Sequence, residues 1–235
     1  MKLPVFPAYY TLADKAGWWA LRAFGVAMLA FLLLPILVIV PLSFSASSFL
    51  AYPMPGFSLQ WYQNLFTSAE WGRAAKNSFI VAPAATLIAT VLGTLTAVGL
   101  ARVQFPGKGL LMSVLIAPMV VPIVVVGVAT YLFFARIGLA DTYLGLIIVH
   151  AALGSPFVVT TVLATLQSFN HNLVRASLSL GAGPVETFFR VTLPVIAPGV
   201  ISGALFAFAT SFDEVVVTLF IAGPTQVTLP RQMFT

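Results

Sequence analysis

Residues 168–194 read SFNHNLVRASLSLGAGPVETFFRVTLP, and long runs without a charged residue flank them on both sides. Asn170 or Asn172 is suited to cap a helix through Leu180. Gly181 stands where that helix would end in the left-handed conformation. Pro184 fits the first turn of a second helix, with Glu186 near its positive end. The pattern predicts a helix-turn-helix lying on a membrane face. Leu173, Ala176 and Leu180 form one apolar stripe, and Val185, Phe188, Phe189 and Val191 form another. On this pattern alone two uses stay open: a dock for a soluble partner, or two interfacial helices resting on lipid headgroups.

The flanks say why a membrane is involved. Of 235 residues, 60% are hydrophobic and 7% charged, against roughly 25% charged in a soluble domain. So few charges cannot solvate a globular surface, and the missing solvent is lipid. A hydrocarbon core of roughly 30 Å needs about 20 apolar residues per crossing. Five apolar runs meet that length, four of them charge-free and the last holding two acids: 23–44, 77–101, 109–134, 143–167 and about 195–222. The fold class is therefore all-α, a polytopic transmembrane helical bundle. The first run is too long for the apolar region of a signal peptide and reads as an uncleaved anchor.

Cations orient the bundle. With the N-terminus inside, the inner segments hold Lys2, Lys15, Arg22, Arg102, Lys108, Arg175 and Arg190, against Arg73, Lys76, Arg136 and Arg231 outside. The N-terminus is expected to be cytoplasmic. Trp18 and Trp19 precede the first run at headgroup level, and Ser58 would cap a short outer helix with Trp61/Leu65 and Tyr62/Phe66 on one face, lying along the outer leaflet. In the second run Ala85, Ala89, Gly93 and Ala97 recur every fourth residue, beside Thr86, Thr90 and Thr94. Small residues at that spacing let helices approach closely, and threonines hydrogen-bond across the contact. Pro118 and Pro122 in the third run, Gly154 and Pro156 in the fourth, and Pro198, Gly199 and Gly203 in the fifth should kink their helices. Such breaks favour a transport bundle over simple anchors.

Within residues 168–194, Ala176-Ser177, three residues, Gly181, nine residues, then Val191-Thr192-Leu193-Pro194 resembles the EAA loop of ATP-binding-cassette importer permeases. That loop is usually written E-A-A, three residues, G, nine residues, I-x-L-P. Arg175 stands where the family often has Glu, and Val191 where it has Ile. Ser58-Leu59-Gln60-Trp61-Tyr62, Trp71, Asn77-Ser78, the run Ser211 to Val217, Gly223-Pro224 and Thr228-Leu229-Pro230 are similar to the polyamine branch of these permeases. The resemblance implies a type I importer permease fold, with 1–235 as a single transmembrane permease domain and 168–194 as its cytoplasmic coupling segment. It further implies that Arg175, Ala176, Ser177, Leu180, Gly181, Ala182, Gly183, Pro184, Val185, Leu193 and Pro194 form the contact with an ATPase. Family members have six spans with both termini inside, so a sixth is expected beyond the fifth.

The implied partners are a second permease subunit (paralogue or identical), an ATPase dimer carrying ATP and Mg, an extracytoplasmic solute-binding protein and membrane lipid, in a bacterial inner membrane. No nucleic-acid partner is expected, since nothing in the sequence resembles a basic groove. Gly107-Lys108-Gly109 lacks the spacing of a P-loop, so no ATPase site and no bound cofactor are expected in this chain. Two histidines and no cysteine argue against a metal site and leave no triad for a membrane hydrolase. An ion-driven secondary transporter or channel would also explain broken helices and membrane acids, but it needs no dock on the inner face.

Asp213 and Glu214 fall inside the fifth run, where a lipid-facing carboxylate costs about 2.5 to 3.5 kcal/mol. On a continuous helix Glu214 shares a polar face with Thr210, Ser211 and Thr218, and Asp213 is flanked at heptad spacing by Phe206 and Phe220. His150 lies at a similar depth in the fourth run. Two readings are open. These residues line a pathway for a small organic cation such as a polyamine, or the acids close an ion pair with a partner permease and His150 bonds a neighbouring helix. Arg136 and Asp141 read as a surface pair in an outer turn, and His171 as a solvated or capping residue.

Overall fold

The computed structural model describes residues 6–7, 9–49 and 51–234; Lys2, one of the inner cations, lies outside them. The chain divides into two compact units, residues 1–68 and 69–235. The first contains α1 (Leu12–Leu42) and α2 (Gln60–Thr67). The α1 helix starts well before the apolar run because Thr11 and Asp14 make a reciprocal capping box: the Thr11 hydroxyl accepts from the Asp14 amide at 3.2 Å, and the Asp14 carboxylate accepts from the Thr11 amide at 2.8 Å. Trp18 and Trp19 therefore sit inside the helix, with Arg22 over the Trp18 ring at 3.6 Å. Of the α1 side chains only Leu42 is buried. The α2 helix does not lie free: Trp61 Nε1 donates to Ser45 O at 2.9 Å, and the Tyr62 hydroxyl meets Ser43 Oγ at 2.7 Å.

The second unit is built around three long helices: α3 (Ala69–Arg102), α6 (Tyr143–Gln167) and a last one that runs unbroken from Pro184 to Phe212. The small-residue stripe of α3 does what its spacing predicts. Ala85, Ala89 and Ala97 are at most 1% exposed, and a Cβ on Gly93 would stand 2.8 Å from the Val158 Cβ of α6. On the other flank of α6, Gly154 meets Ala207 and Gly203 meets Val158, so α6 is gripped between its neighbours. The threonine half of that expectation fails. The hydroxyls of Thr86, Thr90 and Thr94 are buried without a hydrogen-bond partner among the described residues.

Two of the five apolar runs are not single helices. Residues 109–134 were expected to form one kinked span; instead α4 (Lys108–Val120) and α5 (Ile123–Ile137) meet at a 104° bend. Pro122 is the cause: it has no amide to donate, and it forces Val121 into the extended conformation, ψ 134°. Pro118 stays inside α4. Among the described residues four helices are long and apolar enough to cross a membrane by themselves, and the bent pair makes a fifth if it counts as one span. The run expected over 195–222 is likewise divided: the last long helix stops at Phe212, and α10 (Val216–Ile221) follows after a gap. Packing against α5 holds α10, where the Phe220 ring fills the space a Cβ on Gly127 would need.

The segment 168–194 departs from two surface helices in one respect. α7 (Asn172–Ser179) is short and separate, but the helix opening at Pro184 is the entrance of the last span. It passes from α8 (Pro184–Thr187) through a single π turn at Phe188–Thr192 into α9 (Leu193–Phe212). A second interfacial helix does not exist.

Candidate functional site

The gap between α9 and α10 holds Asp213, Glu214 and Val215. Backbone groups freed inside a span need local partners, and here the surrounding side chains supply them. The Glu214 carboxylate accepts from the Val217 amide at 2.8 Å, capping α10, while the Thr218 hydroxyl donates to Glu214 O at 3.1 Å. From α6, His150 places Nδ1 2.8 Å from Ser211 Oγ and Nε2 3.1 Å from Thr218 Oγ1. Nδ1 also lies 3.1 Å from Ser211 O, a carbonyl that can only accept, while the Ser211 and Thr218 hydroxyls can each give or take a proton at the ring. One histidine thus ties the end of α9 to the start of α10.

The break also rearranges the expected pathway residues. His150 is 1% exposed and spends both ring nitrogens on the helix ends, whereas Asp213 is exposed and Glu214 half-buried. The heptad grouping of Phe206, Asp213 and Phe220 required an unbroken helix and does not form. Phe206 stacks on Phe157 of α6, and Phe220 faces α5. Thr210 is half-buried near the end of α9, and Ser211 is buried at the histidine. Glu214, Ser211 and Thr218 stay together, but as caps around the gap rather than as one helical face.

Past α10 the chain is held by residues whose structural work the sequence did not reveal. Asn77 donates to Thr225 O at 2.9 Å and Val227 O at 2.8 Å and accepts from the Tyr143 hydroxyl at 2.7 Å. Ser78 accepts from the Leu229 amide at 2.8 Å. A polar pair at the mouth of an apolar run was the available signal. Arg231 Nη1 donates to Ala222 O and closes the end of α10. Partial burial pulls the Arg231 guanidinium below its ordinary pKa, and the negative charge of Asp141 opposes the shift. Asp141 therefore answers Arg231, and the pairing expected with Arg136 does not form.

At the opposite end of α6, α7 finishes as the sequence predicts. Gly181 takes φ +89°, its amide bonds Leu178 O at 3.0 Å, and the Ala182 amide bonds Ser177 O at 3.2 Å, which is a Schellman closure. At its start Asn170, one of the two expected caps, accepts from the Asn172 amide at 3.0 Å through its side chain, one residue before the N-cap position at His171. Ser177 meets Thr187 at 3.0 Å, fastening α7 to the last long helix. Between them Ala182 and Gly183 lead to Pro184, and the turn presents Leu180 at 88% and Val185 at 70% exposure. Arg175 and Ala176 are exposed on α7, whereas Leu193 and Pro194 lie within the long helix. The face expected to meet a partner is apolar and uncovered in this chain.

These features agree with what the chain resembles. Residues 89–234, more than half of it, match the family described as "Binding-protein-dependent transport system inner membrane component". The spermidine/putrescine transport system permease protein PotC of Haemophilus influenzae is 32% identical over 213 residues, covering 91% of this chain and 82% of that one. The putrescine transport system permease protein PotI of Escherichia coli strain K12 is 33% identical over 211 residues, covering 87% and 75%. Among solved structures, a bacterial ABC transporter involved in the import of the acidic polysaccharide alginate shares the fold at a TM-score of 0.75 and 14% identity, over 97% of this chain and 81% of that one. An all-helical bundle with an exposed apolar turn at one end and a break holding two acids near the end of its last long helix is thus found in a chain that belongs to the inner membrane components of binding-protein-dependent transport systems, as a permease subunit of an importer.

Proposed function

We propose that this permease imports a small organic cation of the polyamine class, received from an extracytoplasmic binding protein and driven by an ATPase dimer seated on the Leu180–Val185 turn. The names of its relatives support the solute class. A second permease subunit, paralogous or identical, completes the pathway, and ATP with Mg binds on the ATPase. Residues 1–235 act as one permease domain, with the N-terminus and α7 on the cytoplasmic side, as the distribution of Lys and Arg favours. Arg175, at the position of the family's acid, changes the charge offered to the ATPase.

A single observation carries the coupling: the helix entered at Pro184 runs without a break to Phe212. An ATPase motion that tilts the turn is delivered along this continuous helix to the gap holding Asp213 and Glu214. The docking face is tested by Leu180→Asp combined with Val185→Asp. Both side chains are exposed, so the fold should stand, while recovery of the ATPase on affinity purification and uptake of labelled putrescine should both fall at least tenfold, since burying one such apolar side chain is worth about 1.5 to 3 kcal/mol. Undiminished recovery of the ATPase would refute the dock.

A further inference from the structure

Cations gather at the α7 end of the bundle with no acid to answer them. Arg102, in the last turn of α3, and Arg175, on α7, line a cavity of about 310 Å³ together with His171 and Thr192. No carboxylate lines it. Between residues 97 and 192 the only acids are Asp141 and Glu186. Asp141 bonds Ile221 O at the far end of the 25-residue α6, about 37 Å away at 1.5 Å per residue, and Glu186 is held by Arg190 at 2.7 Å. Neither guanidinium has a partner among the described residues. A second observation comes from the π turn: Thr192, a residue of the cavity wall, is 1% exposed, and its hydroxyl has no partner among the described residues. Hydrogen-bond donors of three kinds thus converge on one concave space, which suits an oxyanion.

An adjoining cavity of about 470 Å³ shares Ala101, Leu166 and His171 with the first and extends between α4 and α6 past Met112 and Leu163. Lys108 stands at its rim, its Nζ donating to Leu100 O and Val103 O. Phosphate donors in one chamber thus adjoin a second whose polar residues Gln104, Lys108 and Gln167 accompany an apolar wall of Leu100, Met112, Leu163 and Leu166. We infer that this pair of cavities binds an acidic phospholipid, with its phosphate at Arg102, Arg175 and Thr192 and its acyl region between α4 and α6. The inference deepens the proposed function in one respect: if α7 is cytoplasmic, the lipid comes from the inner leaflet and braces the segment that receives the ATPase motion.

The test uses the full chain in bilayer discs of phosphatidylcholine with or without phosphatidylglycerol, scored by lipid retained after detergent extraction and by the thermal unfolding midpoint. Phosphatidylglycerol should be retained and should raise the midpoint. Arg102→Gln with Arg175→Gln should weaken retention by roughly thirtyfold, two cations at about fivefold each. Arg102→Lys with Arg175→Lys should keep most of it, and Thr192→Val should give a smaller loss. Equal retention in the double glutamine variant would overturn the site, and equal protection by inorganic phosphate in phosphatidylcholine discs would overturn the lipid as its occupant. The docking variants at Leu180 and Val185 should lose the ATPase yet keep the lipid, so the two ideas fail separately.

Discussion

The two interrupted spans of this protein break for different reasons. α4 and α5 part at Val121–Pro122, where a missing amide and a restricted preceding residue are supplied by the chain itself. α9 and α10 part within Ser211-Phe212-Asp213-Glu214-Val215-Val216, which has neither proline nor glycine. There the interruption depends on Glu214 capping α10 and on His150 of α6 holding Ser211 and Thr218 on either side. The first break belongs to the chain and the second to the bundle. A break held by a neighbouring helix changes when that helix shifts, which is what a gate in a transport cycle requires.

The sharpest way to break this contrast is His150→Leu. Interhelical hydrogen bonds in membranes are worth about 0.6 to 1.7 kcal/mol each, and the variant loses two, so unfolding should become easier by about 1 to 3 kcal/mol. Amide exchange at Val217 should quicken and uptake should fall, while His150→Gln should restore part of both. Unchanged exchange at Val217 would mean that Glu214 holds the gap without the histidine.

Pro122→Ala addresses the other break and should disturb the molecule less. α5 stays packed on α10 through Gly127 and Phe220, but α4 has no buried residue in this chain and is free to swing once the helix can continue. Distances between spin labels at Gly109 and Ile137 should spread towards longer values, with stability changed by less than about 1 kcal/mol. A narrow, unchanged distribution would show that packing sets the 104° bend, and the two breaks would then be of one kind.

The same contrast explains what the sequence made legible. The boundaries of α6 at Tyr143 and Gln167, the turn at Gly181 and the small-residue stripe of α3 follow from local chemistry: a charge-free run, a residue without a Cβ, a repeat of four. The bend at Pro122 was half legible, since two prolines stood close together and only one interrupts the helix. The α9–α10 gap was hidden because its cause lies in His150, 61 residues from Ser211 in sequence. Reading Phe206, Asp213 and Phe220 as one face assumed a continuous helix, and that assumption failed at Phe212. The continuity from Pro184 into the last span was missed for the opposite reason. Its π turn accommodates an extra residue where the sequence shows only Val191-Thr192-Leu193-Pro194, and the expected surface segment 168–194 ended at that proline.

The smallest structural effect, and the most informative about solute, is expected from Glu214→Gln and Asp213→Asn. Glutamine keeps an oxygen for the Val217 amide, so the cap survives and only its charge is lost, a difference of a few tenths of a kcal/mol for an N-terminal cap. Asp213 is exposed in this chain and ends α9 through its backbone amide on Ala209 O, so asparagine leaves the helix end as it is. Thermal unfolding and assembly with the other subunits should therefore change little. A cationic solute meets something else: opposite charges at about 4 Å in an effective dielectric of about 20 attract by about 4 kcal/mol before desolvation. Even a third of that is tenfold in affinity. Uptake of labelled putrescine should accordingly show a KM raised about tenfold in either variant, with basal ATP hydrolysis unchanged. Loss of assembly in both variants would assign the acids to an ion pair with the second permease instead. Normal uptake in the double variant would remove them from the pathway, leaving the gap as a hinge that the solute passes without touching its charge.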